Sequence, residues 1–313
     1  MSSVATVRRG GHVTQRAFLG LLVVLFTPMA NAQELEPRAY TNLPIGLNFL
    51  AVGFAQSRGS LSTGHSVPIE DAELTINTGL LAYARALNLW GNSGKFDVIL
   101  PYSRLSGSAM VAGQPREREV SGYGDARLRW SINFYGAPAL SMRDYRLYEQ
   151  DLVVGASVQI TVPMGQYDPD RLINLGSNRW SMRTEMGFSK RFSPFTFDMT
   201  VGAIVFTHND DYYGGNHLEQ APIYSAQANL SYEFPGHVWA ALGYTYYTGG
   251  RTTIDGVRKD DELGNSRVGL TVSVPIDRHY SIKLNASTGV VTRIGTGFDV
   301  VGFVVQYRWG AGL

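Results

Sequence analysis

From Asp125 to Phe134 polar residues (Asp125, Arg127, Arg129, Ser131, Asn133) alternate with apolar ones (Ala126, Leu128, Trp130, Ile132, Phe134). A period of two sends successive side chains to opposite faces of an extended chain, so this stretch reads as a strand with one wet face and one greasy face. The pattern recurs with Leu152, Val154, Ala156, Val158 and Ile160 against Gly155, Ser157, Gln159 and Thr161. It recurs with Tyr224, Ala226, Ala228, Leu230 and Tyr232 against Ser225, Gln227, Asn229, Ser231 and Glu233, and with Val268, Leu270, Val272 and Val274 against Arg267, Gly269, Thr271 and Ser273. Ile282, Leu284, Ala286, Thr288 and Val290 face away from Ser281, Lys283, Asn285 and Ser287, and a last strand carries Val301, Phe303, Val305, Tyr307 and Trp309 on one side.

Twelve such segments span residues 45–58, 72–90, 95–108, 124–136, 150–162, 180–191, 196–207, 223–234, 237–249, 264–275, 279–291 and 297–309. Most reach the roughly 9–11 residues that a tilted strand needs to cross a bilayer, and their number is even. The first two carry the weakest pattern: Leu47 to Phe54 is apolar on both faces, and Leu80 to Ala86 has room for a bulge.

The chain begins as an exported protein does. Arg8, Arg9 and Arg16 precede an apolar run from Ala17 to Phe26, and Ala30-Asn31-Ala32 supplies a small-x-small cleavage pattern before Gln33. A membrane-anchoring helix needs about 20 apolar residues, whereas Ala17 to Ala30 offers 14. Residues 1–32 are therefore expected to be a signal peptide cleaved after Ala32, and residues 33–313 one domain. No later stretch is long enough for a spanning helix. An exported chain built of amphipathic strands is expected to be an all-β protein: a transmembrane antiparallel β-barrel of about twelve strands in the outer membrane of a Gram-negative bacterium.

Connections and aromatics fit that reading. Short links (Gly91 to Gly94, Phe192 to Phe195, Pro235-Gly236, Ile276 to Arg278) alternate with long ones (Gly59 to Asp71, Ala109 to Tyr123, Pro163 to Arg179, His208 to Pro222, Gly250 to Leu263), as periplasmic turns alternate with external loops. Ala137 to Glu149 breaks the rule, a long segment where a turn is due, and is expected to hold extra strand or a small periplasmic helix. An even count puts both termini in the periplasm. Trp90, Phe96, Phe134, Phe195, Phe234, Tyr280, Tyr307 and Trp309 fall at periplasmic strand ends, while Tyr102, Trp180, Phe206, Tyr224, Tyr246, Tyr247 and Phe298 fall at external ends. Headgroup interfaces select two such rings, which a soluble sandwich does not need.

These residues, and several loop motifs, resemble an outer-membrane family named for the MetA-pathway of phenol degradation. The resemblance is carried by Arg38-Ala39-Tyr40-Thr41-Asn42-Leu43-Pro44-Ile45-Gly46-Leu47-Asn48-Phe49, by Pro163-Met164-Gly165-Gln166-Tyr167 with Asn174-Leu175-Gly176-Ser177-Asn178-Arg179-Trp180, and by Glu219-Gln220-Ala221-Pro222-Ile223-Tyr224. Gly249-Gly250, Ile254-Asp255-Gly256, Asn265-Ser266-Arg267-Val268-Gly269 and Thr292-Arg293-Ile294-Gly295 add to it. The resemblance implies uptake of aromatic or hydrophobic compounds. One departure is the end of the chain: many outer-membrane barrels finish on an aromatic residue, whereas Gly310-Ala311-Gly312-Leu313 follow Trp309 here.

If the apolar faces meet lipid, the polar faces line a lumen. Asp97, Asp125, Arg127, Arg129, Arg183, Glu185, Asp198, Arg267, Lys283 and Arg308 fall there in mid-strand, and Glu233 near the periplasmic end. Eight-stranded barrels are filled by side chains and those of sixteen hold aqueous channels, so twelve strands leave a narrow lumen. Either arginine–carboxylate pairs crossing it brace the wall as an internal network, or Arg127 and Arg129 line a constriction for anionic or aromatic solutes. His208 with Asp210 and Asp211 at an external rim is the one candidate for water activation, but a rim hydrolase needs further acids on the opposite wall.

Zero cysteines exclude disulfides and thiolate sites, and no acidic loop has EF-hand spacing. No enzyme activity, cofactor or resident metal is expected. Lysine and arginine number 27 against 26 acids, which gives no polyelectrolyte signal for nucleic acid. The expected partners are outer-membrane lipid and lipopolysaccharide, the barrel-assembly machinery, and a small hydrophobic or aromatic solute taken up passively. About ten residues separate Gln33 from the first strand, too few for a plug domain, which argues against an energised transporter. The alternative is a structural or adhesive surface barrel with a closed lumen.

Overall fold

The structure, a computed structural model, describes residues 36–62, 69–111 and 114–313. The export signal assigned to residues 1–32 lies outside the described residues. In chain order the strands are β1 (Leu47–Ser62), β2 (Ile69–Leu89), β3 (Asn92–Val111), β4 (Gln114–Tyr123), β5 (Ala126–Tyr135), β6 (Leu152–Val162), β7 (Ser181–Phe192), β8 (Phe195–Phe206) and β9 (Asn209–Tyr212). There follow β10 (Asn216–Gln220), β11 (Ile223–Glu233), β12 (Trp239–Gly249), β13 (Thr252–Ile254), β14 (Val257–Arg258), β15 (Leu263–Pro275), β16 (Tyr280–Val291), β17 (Gly295–Thr296) and β18 (Asp299–Gly310), with one short helix, α1 (Met142–Tyr145).

Twelve staves close into a barrel. They are β1, β2, β3, β4–β5, β6, β7, β8, β11, β12, β15, β16 and β18, each antiparallel to the next, and β18 returns to β1 from Leu47↔Gly310 to Arg58↔Asp299. Closure satisfies the backbone of every wall strand without a free edge, the condition for a sheet in hydrocarbon. Apolar residues of the alternating pattern point outward, Val301, Leu242 and Val52 being 65%, 59% and 56% exposed. Such a band is stable only if lipid covers it.

β4 and β5 form one stave broken by a bulge. β3 pairs Ile99 with Arg127 but Tyr102 with Tyr123, so one extra residue sits opposite it around Gly124-Asp125. The bulge swaps the faces: Val120 points inward from β4, whereas Arg127 and Arg129 do so from β5. The expected loop from Ala109 to Tyr123 is thus corrected to a hairpin, because β3 runs on to Val111 and β4 starts at Gln114. At 20 and 21 residues β3 and β2 are about twice as long as a crossing requires and stand out of the bilayer.

The other external connections fold inward or pair with each other. β9, β10, β13 and β14 make a separate four-stranded sheet over the mouth, with Tyr212, Leu218 and Ile254 packed beneath it. Two of the residues expected in the external aromatic ring turn inward instead. Phe298 is buried with Leu74, Ile76, Leu105, Val120, Leu175 and Val300, and Phe206 lies under the Arg179 guanidinium at 4.4 Å. At the other end Tyr307 stacks on Trp309 and Phe195 meets Tyr232 edge-on, forming part of the periplasmic girdle.

The long segment after β5 holds α1, its N-terminus capped by Ser141 Oγ, which accepts from the Asp144 amide. It folds back over the periplasmic opening: Ser93 N donates to Ala137 O and Ala139 N to Gly91 O, both at 2.9 Å.

Candidate solute pathway

The residues before β1 occupy the lumen. Ile45 N donates to Leu140 O, and Asn42, fully buried, is held by Gln150 Oε1 on its amide and by the Pro138 carbonyl on its side chain. Beyond it Tyr40, 1% exposed, lies against the wall where Gly155 of β6 pairs with Gly187 of β7. A Cβ on either glycine would come within 2.5 or 2.8 Å of the tyrosine ring, so the two form a notch that no other residue pair leaves open. Asn133 donates to the Tyr40 carbonyl at 3.2 Å, and Arg38 reaches further in, its amide donating to Asp198 Oδ2 at 3.0 Å. These few residues form no plug domain, yet a narrow twelve-stranded lumen is largely occupied by them.

Around this segment the wall charges pair. Glu185 forms ion pairs with Arg183 Nε at 3.0 Å and Arg129 at 3.7 Å, and accepts a hydrogen bond from the Ser157 hydroxyl at 3.1 Å. Lys95 neighbours Asp97 at 3.5 Å, and Lys283 donates to Glu36 at 3.3 Å. Glu233 meets Arg38 of the N-terminal segment at 3.6 Å and Arg191 at 3.5 Å. Among the described residues, Asp97 Oδ2, Arg129 Nε, Asp198 Oδ1 and Thr245 Oγ1 make no hydrogen bond.

Of the eleven residues assigned to the lumen, Asp97, Arg129, Arg183, Glu185, Asp198, Glu233 and Lys283 gather in this lower, charged half. Arg127 stands above them, lining a cavity with Thr78, Leu80, Ile99, Pro101 and Val304. Three others hold chain rather than solute. Asp125 is not in mid-strand but at the bulge, where it accepts from the Gly165 and Ser177 amides at 2.9 and 2.8 Å and from the Ser177 hydroxyl at 2.6 Å. Arg267 donates to the Phe298 carbonyl at 2.7 Å, and Arg308 Nε to the Arg278 carbonyl at 2.7 Å near the periplasmic edge.

The pathway thus has two parts. The outer part is apolar, walled by Leu74, Ile76, Leu105 and Val300 and packed by Leu175 and Phe298; the inner part is charged and filled by residues 36–44. Glu36, Arg38, Tyr40 and Asn42 are absent from any reading of strand periodicity, since they lie on no strand. The signal for Arg38, Tyr40 and Asn42 is the Arg38 to Phe49 motif, which Glu36 precedes.

At the rim the pair expected between His208 and the acids is not the one formed. Asp210 Oδ1 lies 2.6 Å from His217 Nδ1, while Asp211 uses its amide on Asn209 and its carbonyl on the Tyr167 hydroxyl. The Asp210 contact raises the His217 pKa, and Glu219 adds to the effect.

Motifs that carry the family resemblance meet one another in space. Gly165 and Gly176 approach so closely that a Cβ on Gly176 would lie 2.7 Å from the Gly165 backbone. Asn265 receives the Arg293 amide and donates to the Ile294 carbonyl, at 2.9 and 2.8 Å.

A solved structure similar to this one is an outer membrane channel from Pseudomonas putida F1: 25% identity, 88% of this chain and 99% of that one covered, TM-score 0.76. The β domain of the Bordetella autotransporter BrkA (8% identity, 85% and 99% covered) and the toluene transporter TodX of P. putida (10%, 87% and 93%) superpose with TM-scores of only 0.48 and 0.39. No curated protein matches the sequence. The barrel with its lipid-facing band places the protein in the Gram-negative outer membrane, amid lipid and lipopolysaccharide. The family model described as MetA-pathway of phenol degradation matches residues 56–297, and the chain belongs to that family.

Proposed function

We propose that the protein is a passive channel that admits small hydrophobic or aromatic compounds across the outer membrane, with no covalent chemistry and no energy coupling. The observation that carries this reading is the cavity at Arg127. Leu80, Ile99, Pro101 and Val304 give it apolar walls beside the Arg127 side chain, a lining that suits an aromatic solute once the small void between them widens. A solute arriving through the apolar outer part meets this cavity before the charged half. Dense ion pairing and the segment 36–44 below it disfavour a wide aqueous pore, which would suit sugars or ions.

The filled lower lumen also favours a second reading, a surface barrel that stays closed. The two are separated by the fluorescence of N-phenyl-1-naphthylamine added to de-energised cells, where active efflux is silent. A channel speeds entry of this aromatic probe over cells lacking the protein, in proportion to outside concentration, and Arg127→Ala slows it severalfold. Equal entry with and without the protein, together with a silent folded protein in planar bilayers, would overturn the channel reading in favour of the closed barrel.

A further inference from the structure

The external sheet carries a group of side chains that neither the barrel nor the solute pathway uses. β9 and β10 pair Asn209 with Leu218, and Leu218 is turned down and buried. The residues flanking this pair stay on the solvent side across a bulge in the ladder: His208, just before β9, with Asp210, and His217 with Glu219 of β10. His208, His217 and Glu219 each offer a ligand atom, and these atoms lie within 4.8 Å of one another. The two imidazole rings meet edge-on, 4.9 Å between centroids.

We propose that His208, His217 and Glu219 bind one divalent transition-metal ion of the Zn²⁺ class at the outer rim. Two imidazoles and one carboxylate are a donor set that suits Zn²⁺, with a fourth position left to water. Zinc ligands lie about 2.0–2.2 Å from the metal, which sets two tetrahedral ligands about 3.3 Å apart. His217 Nε2 and Glu219 Oε1 are already 3.2 Å apart. The other ring nitrogen of His217 is engaged by Asp210 at 2.6 Å. That contact fixes the tautomer with Nδ1 protonated and Nε2 presented to the metal, the outer-shell arrangement found around metal-bound histidines. His208 lies in the two-residue link between the barrel strand β8 and β9, whereas His217 and Glu219 belong to β10 of the sheet over the mouth, so the ion ties this link to the sheet. Calcium and magnesium, which take oxygen cages, do not fit a site with two nitrogens.

The test is Zn²⁺ titration of the untagged, chelator-stripped full chain in detergent by calorimetry, with Co²⁺ as a visible-absorption probe. One equivalent is expected to bind, with a four-coordinate Co²⁺ spectrum and no competition from excess Mg²⁺. His208→Ala and His217→Ala each weaken binding at least tenfold, and Asp210→Asn, which touches only the orienting bond, weakens it about 10- to 100-fold. None of the four side chains is on a barrel strand, so unchanged strand circular dichroism and gel mobility show that the variants fold. Absence of stoichiometric binding in the parent chain overturns the proposal, as does binding that survives the His208→Ala/His217→Ala double change. Neither outcome bears on the channel reading.

Discussion

Glu185 shows how a single residue in the lumen is constrained. Its carboxylate takes Arg183 at 3.0 Å and Arg129 at 3.7 Å, and all three side chains are largely withdrawn from solvent. Removing one partner of a buried ion group costs far more than the group is worth as a whole, because the charge left behind has no compensation. Glu185→Ala leaves the guanidiniums of Arg129 and Arg183, two strands apart on one wall, without the carboxylate they share. It is expected to destabilise the barrel by about 3–5 kcal/mol, read as a lower urea midpoint in detergent, with Glu185→Gln losing less because it keeps the Ser157 contact. The alternation showed that Arg129, Arg183 and Glu185 share the inner face. It did not show that they meet, since β5 and β7 are separated by β6 and that adjacency is a property of the closed sheet.

Among the elements, those that lipid touches were legible and those that water touches were not. Along Asp125 to Phe134 the bilayer demands a greasy outer face, and the sequence must alternate. Above the membrane no such demand exists: Arg116, Glu117, Arg118 and Glu119 are polar on both faces of β4, so a genuine strand reads as a loop. The same holds for β9, β10, β13 and β14, two to five residues each, and for His217 and Glu219, whose closeness to His208 follows only once the hairpin is known. The loop 163–180 illustrates what replaces periodicity as a signal. It is bound to the rim by Asp125 and by the contact of Gly165, Gly176 and Gly124, where a Cβ on Gly165 would lie 2.8 Å from the Gly176 Cα and from the Gly124 carbonyl carbon. Gly176→Val is expected to lift this loop without unfolding the staves. Protease added to intact cells should then cleave at Arg171 or Arg179, in the loop itself, where the parent chain resists.

For the molecule as a whole, the wall and its contents obey separate logics. The wall is complete without residues 36–44: β1 through β18 close on one another by backbone hydrogen bonds, and none of those bonds involves the segment. The segment in turn is held mostly by side chains: Asp198, Gln150 and Asn133 from the wall or its connections, the Gly155–Gly187 notch for Tyr40, and the ion pairs of Glu36 and Arg38. Each such contact contributes on the order of 1 kcal/mol, a sum that a modest rearrangement can release while the barrel, with far more hydrogen bonds, stays intact. A chain lacking residues 36–44 should therefore fold and insert, keep its thermal transition within a few degrees, and show single-channel conductance in planar bilayers several times that of the parent. Tyr40→Gly, which empties the notch alone, is expected to give shorter and more frequent openings at an intermediate level. If the deleted chain folds yet conducts no better than the parent, the resistance lies instead in the apolar outer part, where Leu175 and Phe298 pack against Leu74, Leu105 and Val300, and the N-terminal segment is an anchor rather than a gate.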